Sequence, residues 1–464
     1  MVTQNPLFKF YEASPEAMPI RVLTIAAYKP WLSEQSAHTQ KWLHSSRFVA
    51  ENEKWTYITN AEGAVTEVLL ICDTPEKRLS GAAMATQLPV GDYFFLRDGL
   101  SAAALCQLAT AWGLAQYQFS RYRTLNLKEK PCLAIQESDR LAVQWIESIS
   151  LVRDLINTPA EDLGPAELAD YCRDFCKRFS GSMEEIIGAD LLTQGYTLTH
   201  AVGRSSDREP RFIDMRLGRP QDPLLVLIGK GVCFDSGGLD IKSADNMFLM
   251  KKDMGGAAHV LGLAQIILLQ KLPIQLRILI PAVENVISAN AFKPGDVYTA
   301  RNGISVEIGN TDAEGRLILA DALLEAATSE DARLVIDFAT LTGAARVALG
   351  PDIPVFFCND RQMQADIMAA SDETGECLWP LPLHAAYKDY LKSPVADINN
   401  SGGSYAGAIT AALFLQEFAP KTIPWVHIDL MAYNLNNQPG RPQGGEAMGL
   451  NALLTFIKRL MIKK

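Results

Sequence analysis

The second part of the chain alternates short, strongly apolar runs with segments of helical periodicity, and this alternation constrains the fold more than any other feature. The apolar runs read PLLVLIGKG, LRILIPAVE, ISVEIGN, LVIDFATLTG, IPVFFCND and WVHIDLMAY. Strands that are covered on both faces have this near-continuous apolar character, and their alternation with helices is typical of parallel sheets. We therefore predict an α/β fold whose mostly parallel central sheet has helices on both faces.

The first part of the chain predicts a smaller α/β domain. Its strand-like runs are IRVLTIAAY, VTEVLLIC and GDYFFLRD, and a helix-like run, AAALCQLATAWGLAQYQFSRYR, follows them. A later helical pattern should stop just before Pro159, because the residue preceding a proline disfavours the helical conformation. With 464 residues the chain exceeds the usual size of one domain. We expect a smaller amino-terminal α/β domain over 1–135, a linking helix over 136–149 and a larger domain over 150–464.

Composition narrows the class of protein. The 43 Lys and Arg residues against 53 Asp and Glu residues give a formal charge of −10, which disfavours non-specific binding to nucleic acid or to an anionic membrane. The first residues lack the pattern of a secretory signal, and no window is apolar enough to span a bilayer, so we expect a cytoplasmic protein. The eight cysteines are scattered, and Cys172 and Cys176 are interpreted as packing residues of a helix in a reduced protein.

The segment NTDAEGRL places Asp312, Glu314 and Arg316 on alternate residues between a strand-like run and a helix-like run. One interpretation is structural, because Thr311 followed three residues later by Glu314 matches a capping box at a helix start. The other interpretation is that the charged side chains serve a site. This segment alone leaves both open.

A second charged group lies in GKGVCFDSGGLDIKSADNMFLMKKDMGGAA, after a strand and before a helix. Its members are Lys230, Asp235, Lys242 and Asp253. Each of them alone is more typical of a solvated surface, but ligands bind at the carboxyl ends of parallel strands, where both charged groups gather. Converging carboxylates repel one another unless divalent cations or protons neutralise them. The pattern favours a two-metal site that activates water, with the lysine and arginine facing developing negative charge.

Histidine is absent from these loops. His259 lies within a helical pattern and His427 within a strand-like run, so we interpret both as core residues. Oxygen-rich ligation without histidine favours magnesium or manganese over zinc by ligand type. A nucleotide-binding loop is not supported, because the segment has neither GxGxxG nor GxxxxGK[ST] spacing. Gly237 and Gly238 instead indicate a tight turn beside the site.

Five segments in order resemble one family, the leucine aminopeptidases or cytosol aminopeptidases. They are NTDAEGRLILADAL, GKGVCFDSGGLDIK, MKKDMGGAA, VENVISANAFKPGDV and DFATLTGA, and the resemblance covers roughly residues 150–464. Upstream, GLAQYQFSRYR is similar to the family's link out of a variable amino-terminal domain. The resemblance implies a metal-dependent exopeptidase, a hydrolase that releases unblocked amino-terminal residues from peptides.

Carried over by position, the resemblance implies two metal ions held by Lys230, Asp235, Asp253, Asp312 and Glu314, with Asp235 and Glu314 bridging them. The family usually carries zinc, with manganese, magnesium or cobalt at the more exchangeable position, which disagrees in part with the expectation from ligand type. As a metal ligand, Lys230 must be neutral, so the cations must depress its pKa.

The resemblance also implies that Arg316 holds a bicarbonate ion, the general base toward the attacking water, and that Lys242 stabilises the oxyanion. Met250, Thr340 and Gly343 match the pocket for the first side chain, and a methionine there suits leucine-like residues. The less typical run LMAYNLNNQPGRPQGGEAMGLNALL leaves the side-chain preference open.

The family assembles as a homo-hexamer, which we expect here. The alternative function is a DNA-binding or regulatory protein on the same scaffold, although the acidic balance makes nucleic acid an unfavoured partner.

Overall fold

The structure is a computed structural model that describes residues 8–10, 16–123 and 130–462. It forms two compact units, Met1–Ser150 with Asn436–Gln443, and Leu151–Leu435 with Gly444–Lys464. The helix α5 (Arg140–Asn157) covers the residues where the first unit ends and the second begins. It ends two residues before Pro159, as the sequence predicts. The domain boundaries expected from the sequence stay a prediction.

The first unit is a small α/β sheet structure. Its strands are β1 (Phe8–Phe10), β2 (Met18–Leu23), β3 (Trp55–Thr59), β4 (Val65–Ile71), β5 (Asp92–Phe95) and β6 (Cys132–Ile135), in the sheet order β1-β6-β5-β2-β4-β3. Its helices are α1 (Ile25–Ser33), α2 (Ala37–Ser45), α3 (Ala82–Gln87) and α4 (Ala102–Gln116). The strands are parallel except for the β3–β4 pair. The helix α4 ends at Gln116, earlier than the apolar pattern suggests.

The second unit contains a larger sheet, two small sheets and the remaining helices. Its strands are β7 (Ser182–Ile187), β8 (Arg211–Leu217), β9 (Leu224–Gly229), β10 (Gly231–Asp235), β11 (Gln275–Asn285), β12 (Val297–Thr299), β13 (Ser305–Glu307), β14 (Ala332–Ala339), β15 (Val355–Cys358), β16 (Trp379–Pro380), β17 (Ile398–Asn399), β18 (Trp425–Asp429), β19 (Tyr433–Asn434) and β20 (Gly444–Gly445). Its helices are α6 (Pro165–Arg178), α7 (Asp190–Thr193), α8 (Thr197–Gly203), α9 (Ala244–Met247), α10 (Gly255–Leu269), α11 (Glu314–Ala326), α12 (Gly343–Leu349), α13 (Arg361–Thr374), α14 (Gly407–Phe418) and α15 (Leu450–Met461).

The large sheet has the order β16-β15-β18-β14-β9-β11-β8-β7, with β10 also paired to β11. Its centre, β11-β9-β14-β18, is parallel. The strand β8 pairs antiparallel with β7 and β11, and β15 pairs antiparallel with β18 but parallel with β16. The predicted fold class, a mostly parallel sheet preceded by a smaller α/β unit, is confirmed. One strand-like run differs, because ISVEIGN forms β13 in a separate small sheet of order β12-β13-β17.

The core explains why the central strands read as continuous apolar runs. Every residue of β9 is buried, as expected for a strand covered on both faces. The helix α10 is buried from Gly255 to Ile267, and its glycines and alanines let it lie close to the sheet. Each fully buried Leu, Ile or Val of this kind stabilises the fold by roughly 1.5–3 kcal/mol. Buried central strands therefore carry the loops at the carboxyl edge of the sheet.

Three further expectations concern the whole chain. His259 is fully buried, with its Nδ1 2.6 Å from the Gly255 carbonyl and its Nε2 accepting a hydrogen bond from Met448 N. His427 is also buried, beside Asp337. Both histidines are therefore core residues, as predicted. All eight cysteines lie in described residues and are free thiols. In the described part of the chain, no helix combines the length and apolarity that crossing a bilayer requires.

Candidate metal centre and active site

Lys230 lies in the single-residue link between β9 and β10, where it is 2% exposed. Its Nζ lies 2.7 Å from Asp253 Oδ2 and 2.9 Å from Glu314 Oε1, and it donates to the Thr340 carbonyl at 3.2 Å. Burial by itself would lower the pKa of this lysine, but the carboxylates of Asp253 and Glu314 outweigh burial and raise it. The lysine thus bridges two of the acidic residues predicted to share its site.

Asp235 is the last residue of β10, at the carboxyl edge of the sheet. Its Oδ1 accepts from Gly237 N at 2.8 Å and from Asn285 Nδ2 at 2.9 Å, and its Oδ2 lies 2.8 Å from Lys242 Nζ. The same Lys242 Nζ also contacts Asp312 Oδ1. Burial, reinforced by the charge of Asp253, raises the pKa of Asp235 to about 6.

Glycines allow the close approach of the segments around these side chains. Gly237 and Gly238 have φ values of +87° and +66°, the left-handed region that glycine adopts without strain, so the predicted tight turn is confirmed. At Gly315, an added Cβ would lie 2.5 Å from Lys230 Cε, so any larger residue would displace the lysine.

The helix α11 begins at Glu314, and its N-cap, Ala313, makes no side-chain capping bond. The capping-box interpretation is therefore wrong. Thr311 Oγ1 instead donates to the Gly237 carbonyl at 2.7 Å and accepts from Asp240 N at 2.8 Å. Thr311 thus joins the loop that precedes α11 to the loop that follows β10.

Carboxylate oxygens of Asp235, Asp312 and Glu314 all lie within 4.8 Å of one another. Burial and the charge of Asp235 raise the pKa of Glu314 to about 7, and burial and the charge of Glu314 raise the pKa of Asp312. Glu314 Oε1 and Asp253 Oδ2 are buried and, although they lie near Lys230, accept no hydrogen bond of good geometry. Crowded carboxylates with unsatisfied oxygens are the donor set that divalent cations bind.

Arg316 lies in the first turn of α11 and is 8% exposed. Its Nη1 donates to the Asn400 carbonyl at 2.8 Å, while its buried Nε has no hydrogen-bond partner. Burial lowers its pKa to about 10, which still leaves it a cation at neutral pH. A buried guanidinium with an unsatisfied donor fits a small oxyanion as ligand.

The three predicted pocket residues lie in different settings. Thr340 is buried, and its Oγ1 donates to Asp253 Oδ1 at 2.7 Å. Met250 is half-buried at the start of a 3₁₀ helix, Met250–Met254, that also carries Asp253. Gly343 is exposed at the first residue of α12. Their role in binding the substrate side chain stays a prediction, as do the metal-ligand roles of the charged residues.

Sequence reasoning missed three buried polar residues that hold this site. Asn285, at the end of β11, bonds Asp235 as described above. Asn400 bonds the backbone of the loop before α11. Asp429 accepts from Leu341 N and Thr342 N, and so holds the loop after β14. Their shared signal is a polar residue directly after, or at the end of, an apolar strand, which is visible in VENV and HIDL for Asn285 and Asp429.

Comparison with known proteins identifies the family. Residues 150–454 match the model of the cytosol aminopeptidase family, catalytic domain, and residues 18–133 match that of the M17 aminopeptidase N-terminal domain. The chain belongs to the cytosol aminopeptidase family. The predicted class, a hydrolase of the peptidase type, is therefore confirmed at the level of the family.

Relatives and solved structures agree with this assignment. The chain is 43% identical over 323 residues to the "Probable cytosol aminopeptidase" of Chlamydia abortus, and this match covers 68% of the chain and 65% of that relative. The crystal structure of a cytosol aminopeptidase from Coxiella burnetii is 44% identical, with a TM-score of 0.92 over 98% of this chain and 99% of that one. The bottromycin maturation enzyme BotP, solved in complex with Mn, is 30% identical, with a TM-score of 0.86 over 96% of this chain and 100% of that one.

Proposed function

We propose that this member of the family is a metal-dependent aminopeptidase that releases unblocked amino-terminal residues from peptides, with a preference for leucine-like side chains. The observation that carries the proposal is the buried cluster of Asp235, Asp312 and Glu314, whose oxygens lie within 4.8 Å of one another. The likeness to BotP, which was solved with Mn, supports divalent cations as the ligands of this cluster.

The ligand set proposed for two cations is the one expected from the sequence, with Lys230 and Asp253 added to the three clustered carboxylates. We propose zinc or manganese, with magnesium or cobalt as exchangeable occupants. When bound, the ions supply electrophilic activation of the scissile carbonyl and of the attacking water. With cations bound, Asp253 and Glu314 would no longer need the charge of Lys230 for neutralisation, and Lys230 would serve as a ligand in its neutral amine form.

Lys242 is assigned to the developing oxyanion. Its Nζ lies 2.8 Å from Asp235 Oδ2 and contacts Asp312, so its charge is at the edge of the carboxylate cluster. An ammonium group placed there stabilises negative charge that grows on the carbonyl oxygen during attack. Arg316 is assigned to bicarbonate, which would bind the unsatisfied Nε and supply a base for the proton of the attacking water.

An exopeptidase must distinguish a free terminal amine from a blocked one. The nitrogen lone pair of a free, neutral terminal amine could bind one of the cations. Acetylation delocalises that lone pair into the amide, so a blocked peptide would lose this contact. We also propose that the protein acts in the cytoplasm as a homo-hexamer. The DNA-binding alternative is not proposed, because a formal charge of −10 gives no general attraction to nucleic acid.

The test uses the full chain after removal of metal with a chelator. An unblocked leucyl anilide and its N-acetylated counterpart are compared before and after addition of Zn²⁺ or Mn²⁺, with metal content measured in parallel. The expected result is hydrolysis of the unblocked substrate only, and only with metal bound. Hydrolysis that persists in metal-free protein would contradict the proposal. A panel of aminoacyl anilides tests the leucine preference, and sedimentation tests the hexamer.

A further inference from the structure

Asn400 follows β17 in the polar, glycine-rich segment DINNSGGSYAGA and has no exposed surface. A carboxamide removed from water loses stability unless protein groups satisfy both its oxygen and its nitrogen. The partners of Asn400 therefore show what this buried side chain does.

All of these partners lie in the loop that leads to α11. Asn400 Oδ1 accepts from Gly309 N at 2.8 Å and from Asn310 N at 3.1 Å. Its Nδ2 donates to the Asn310 carbonyl at 2.8 Å and to the Ala313 carbonyl at 3.3 Å. The side chain thus uses both lone pairs and both N–H groups on backbone that flanks Asp312 on its two sides.

The backbone of Asn400 makes a further connection. Its carbonyl accepts from Arg316 Nη1 at 2.8 Å, and its own N–H donates to the Glu307 carbonyl at 3.0 Å. One residue therefore bonds β13, the loop around Asp312 and the guanidinium of Arg316. The sheet pairing of β13 with β17 anchors this residue in turn.

We propose that Asn400 is a positioning residue for the cation site, which fixes Asp312 through its side chain and Arg316 through its carbonyl. The inference rests on the proposed function. Asp312 is the most exposed of the clustered carboxylates, at 31%, and it precedes the regular part of α11, so hydrogen bonds from Asn400 define the path of its backbone. Groups that orient metal ligands in this way typically contribute about 10–100-fold to metal affinity.

The test replaces Asn400 with alanine in the full chain. Calorimetric titration of the metal-free variant with Mn²⁺ should show about 10–100-fold weaker binding than wild type at the site that includes Asp312. Hydrogen exchange at the amides of Gly309 and Asn310 should become faster, because both lose their acceptor. At saturating metal, kcat should recover to within about tenfold of wild type while KM stays similar, because the carbonyl that binds Arg316 is retained.

Two further variants make the result decisive. Asn399→Ala is the matched control, since Asn399 bonds Glu307 and Ser401 but donates no hydrogen bond to residues 309–313, and it should bind Mn²⁺ like wild type. Asn400→Asp keeps the acceptor but turns an oxygen toward the Asn310 and Ala313 carbonyls, so it should also weaken Mn²⁺ binding. This variant decides the question should the alanine variant not fold.

Wild-type Mn²⁺ affinity and wild-type exchange at residues 309–310 in the folded Asn400 variants would overturn the inference. That failure is distinct from failure of the proposed function, which would appear as a wild-type protein without metal-dependent peptidase activity.

Discussion

Two charged clusters lie at opposite ends of the same strand, β11, and the same helix, α11. At one end, Asn285 and Glu314 belong to the candidate site. At the other end, Arg277 and Glu325 belong to an ion network. The two ends are roughly 27 Å apart along the strand and roughly 16 Å apart along the helix. The clusters therefore share a scaffold, and they differ in how they satisfy their charges.

In the ion network, the carboxylates of Asp214 and Glu325 are paired with arginines. Arg277 Nη2 lies 2.5 Å from Glu325 Oε1 and 2.6 Å from Asp214 Oδ2. The other oxygen of Glu325 lies 2.8 Å from Arg301 Nη1 and accepts from the Tyr196 hydroxyl at 2.9 Å. Burial alone would raise the pKa of Glu325, but hydrogen bonds from Arg277 and Arg301 lower it to about 2. The ion network therefore stabilises the charged form of the Glu325 carboxylate.

The candidate site does the opposite. Burial and neighbouring carboxylates raise the pKa of Asp235 to about 6 and that of Glu314 to about 7, and an oxygen of Glu314 accepts no hydrogen bond. The site thus contains carboxylate oxygens for which the protein itself provides no hydrogen-bond donor. Unsatisfied carboxylates, more than the number of charges, thus distinguish a ligand site from a structural ion network.

Among the variants of the two clusters, Glu314→Gln should lose the most activity. The amide cannot provide the charge that binds cations, so turnover of a leucyl anilide should fall by at least about 10³-fold, and bound metal should decrease. Thermal stability without metal should stay equal or increase, because a crowded buried carboxylate is removed. Metal content, turnover and Tm are measured on the same preparation.

Glu325→Gln is the matched control on the same helix. It should leave turnover per folded molecule within about twofold of wild type and should lower Tm. A Glu314→Gln protein with two bound ions and normal turnover would contradict the proposed difference between the cation site and the ion network.

The second effect separates the two lysines of the site. Lys242→Ala should lower kcat by about 10²–10³-fold, as for the loss of an oxyanion stabiliser, with unchanged metal content. Lys230→Ala should lose metal, because Lys230 lies between Asp253 and Glu314 and is proposed as a ligand. Elemental analysis and steady-state kinetics decide this assignment. Metal loss in Lys242→Ala, with retention in Lys230→Ala, would show that the two roles are reversed.

Much of this site could be predicted from the sequence because its residues lie at strand ends and helix starts. Lys230, Asp235 and Glu314 each stand directly beside an apolar run, and parallel strands bring such positions to one edge. The fold class followed from the same runs. ISVEIGN was misplaced because three paired residues of β13 carry too little pattern to identify their sheet.

The supporting role of Asn400 could not be predicted in the same way. Asn400 is 84 positions from Arg316 in sequence, and its bonds go to backbone atoms, which leave no side-chain pattern. The capping-box interpretation failed for a related reason, since Thr311 bonds the loop after β10 and not the adjacent helix. Local motifs do not reveal partners that the tertiary fold supplies.

The third effect tests the ion network. Arg277→Met removes the cation that bonds Asp214 and Glu325, and the loss of one partner of a buried pair typically destabilises a protein by roughly 3 kcal/mol. Turnover of the folded fraction should stay within about twofold of wild type, because the site lies at the other end of β11. Urea unfolding and kinetics measured below the unfolding transition check this. A large loss of kcat in fully folded Arg277→Met would show that the two ends are coupled.

The smallest effect concerns Asp321, which lies between the two clusters on α11. Its Oδ2 accepts from Thr199 N and Oγ1, both at 2.8 Å, while its buried Oδ1 has no hydrogen-bond partner, and burial raises its pKa to about 7. Because the folded-state pKa lies above the unfolded value of about 3.9, the protonated form stabilises the fold at low pH, and this stabilisation is lost as the pH rises to about 7.

Asp321→Asn keeps the acceptor for Thr199 and removes the titration, so its stability relative to wild type should increase by on the order of 1–3 kcal/mol between about pH 5 and about pH 8. Unfolding of both proteins at the two pH values measures the change, with Glu325→Gln as a control that should show no such increase, since the pKa of Glu325 is lowered. A stability difference that does not vary with pH would show that Asp321 is not protonated in the folded protein and that an unsatisfied carboxylate oxygen can persist on this helix outside the site.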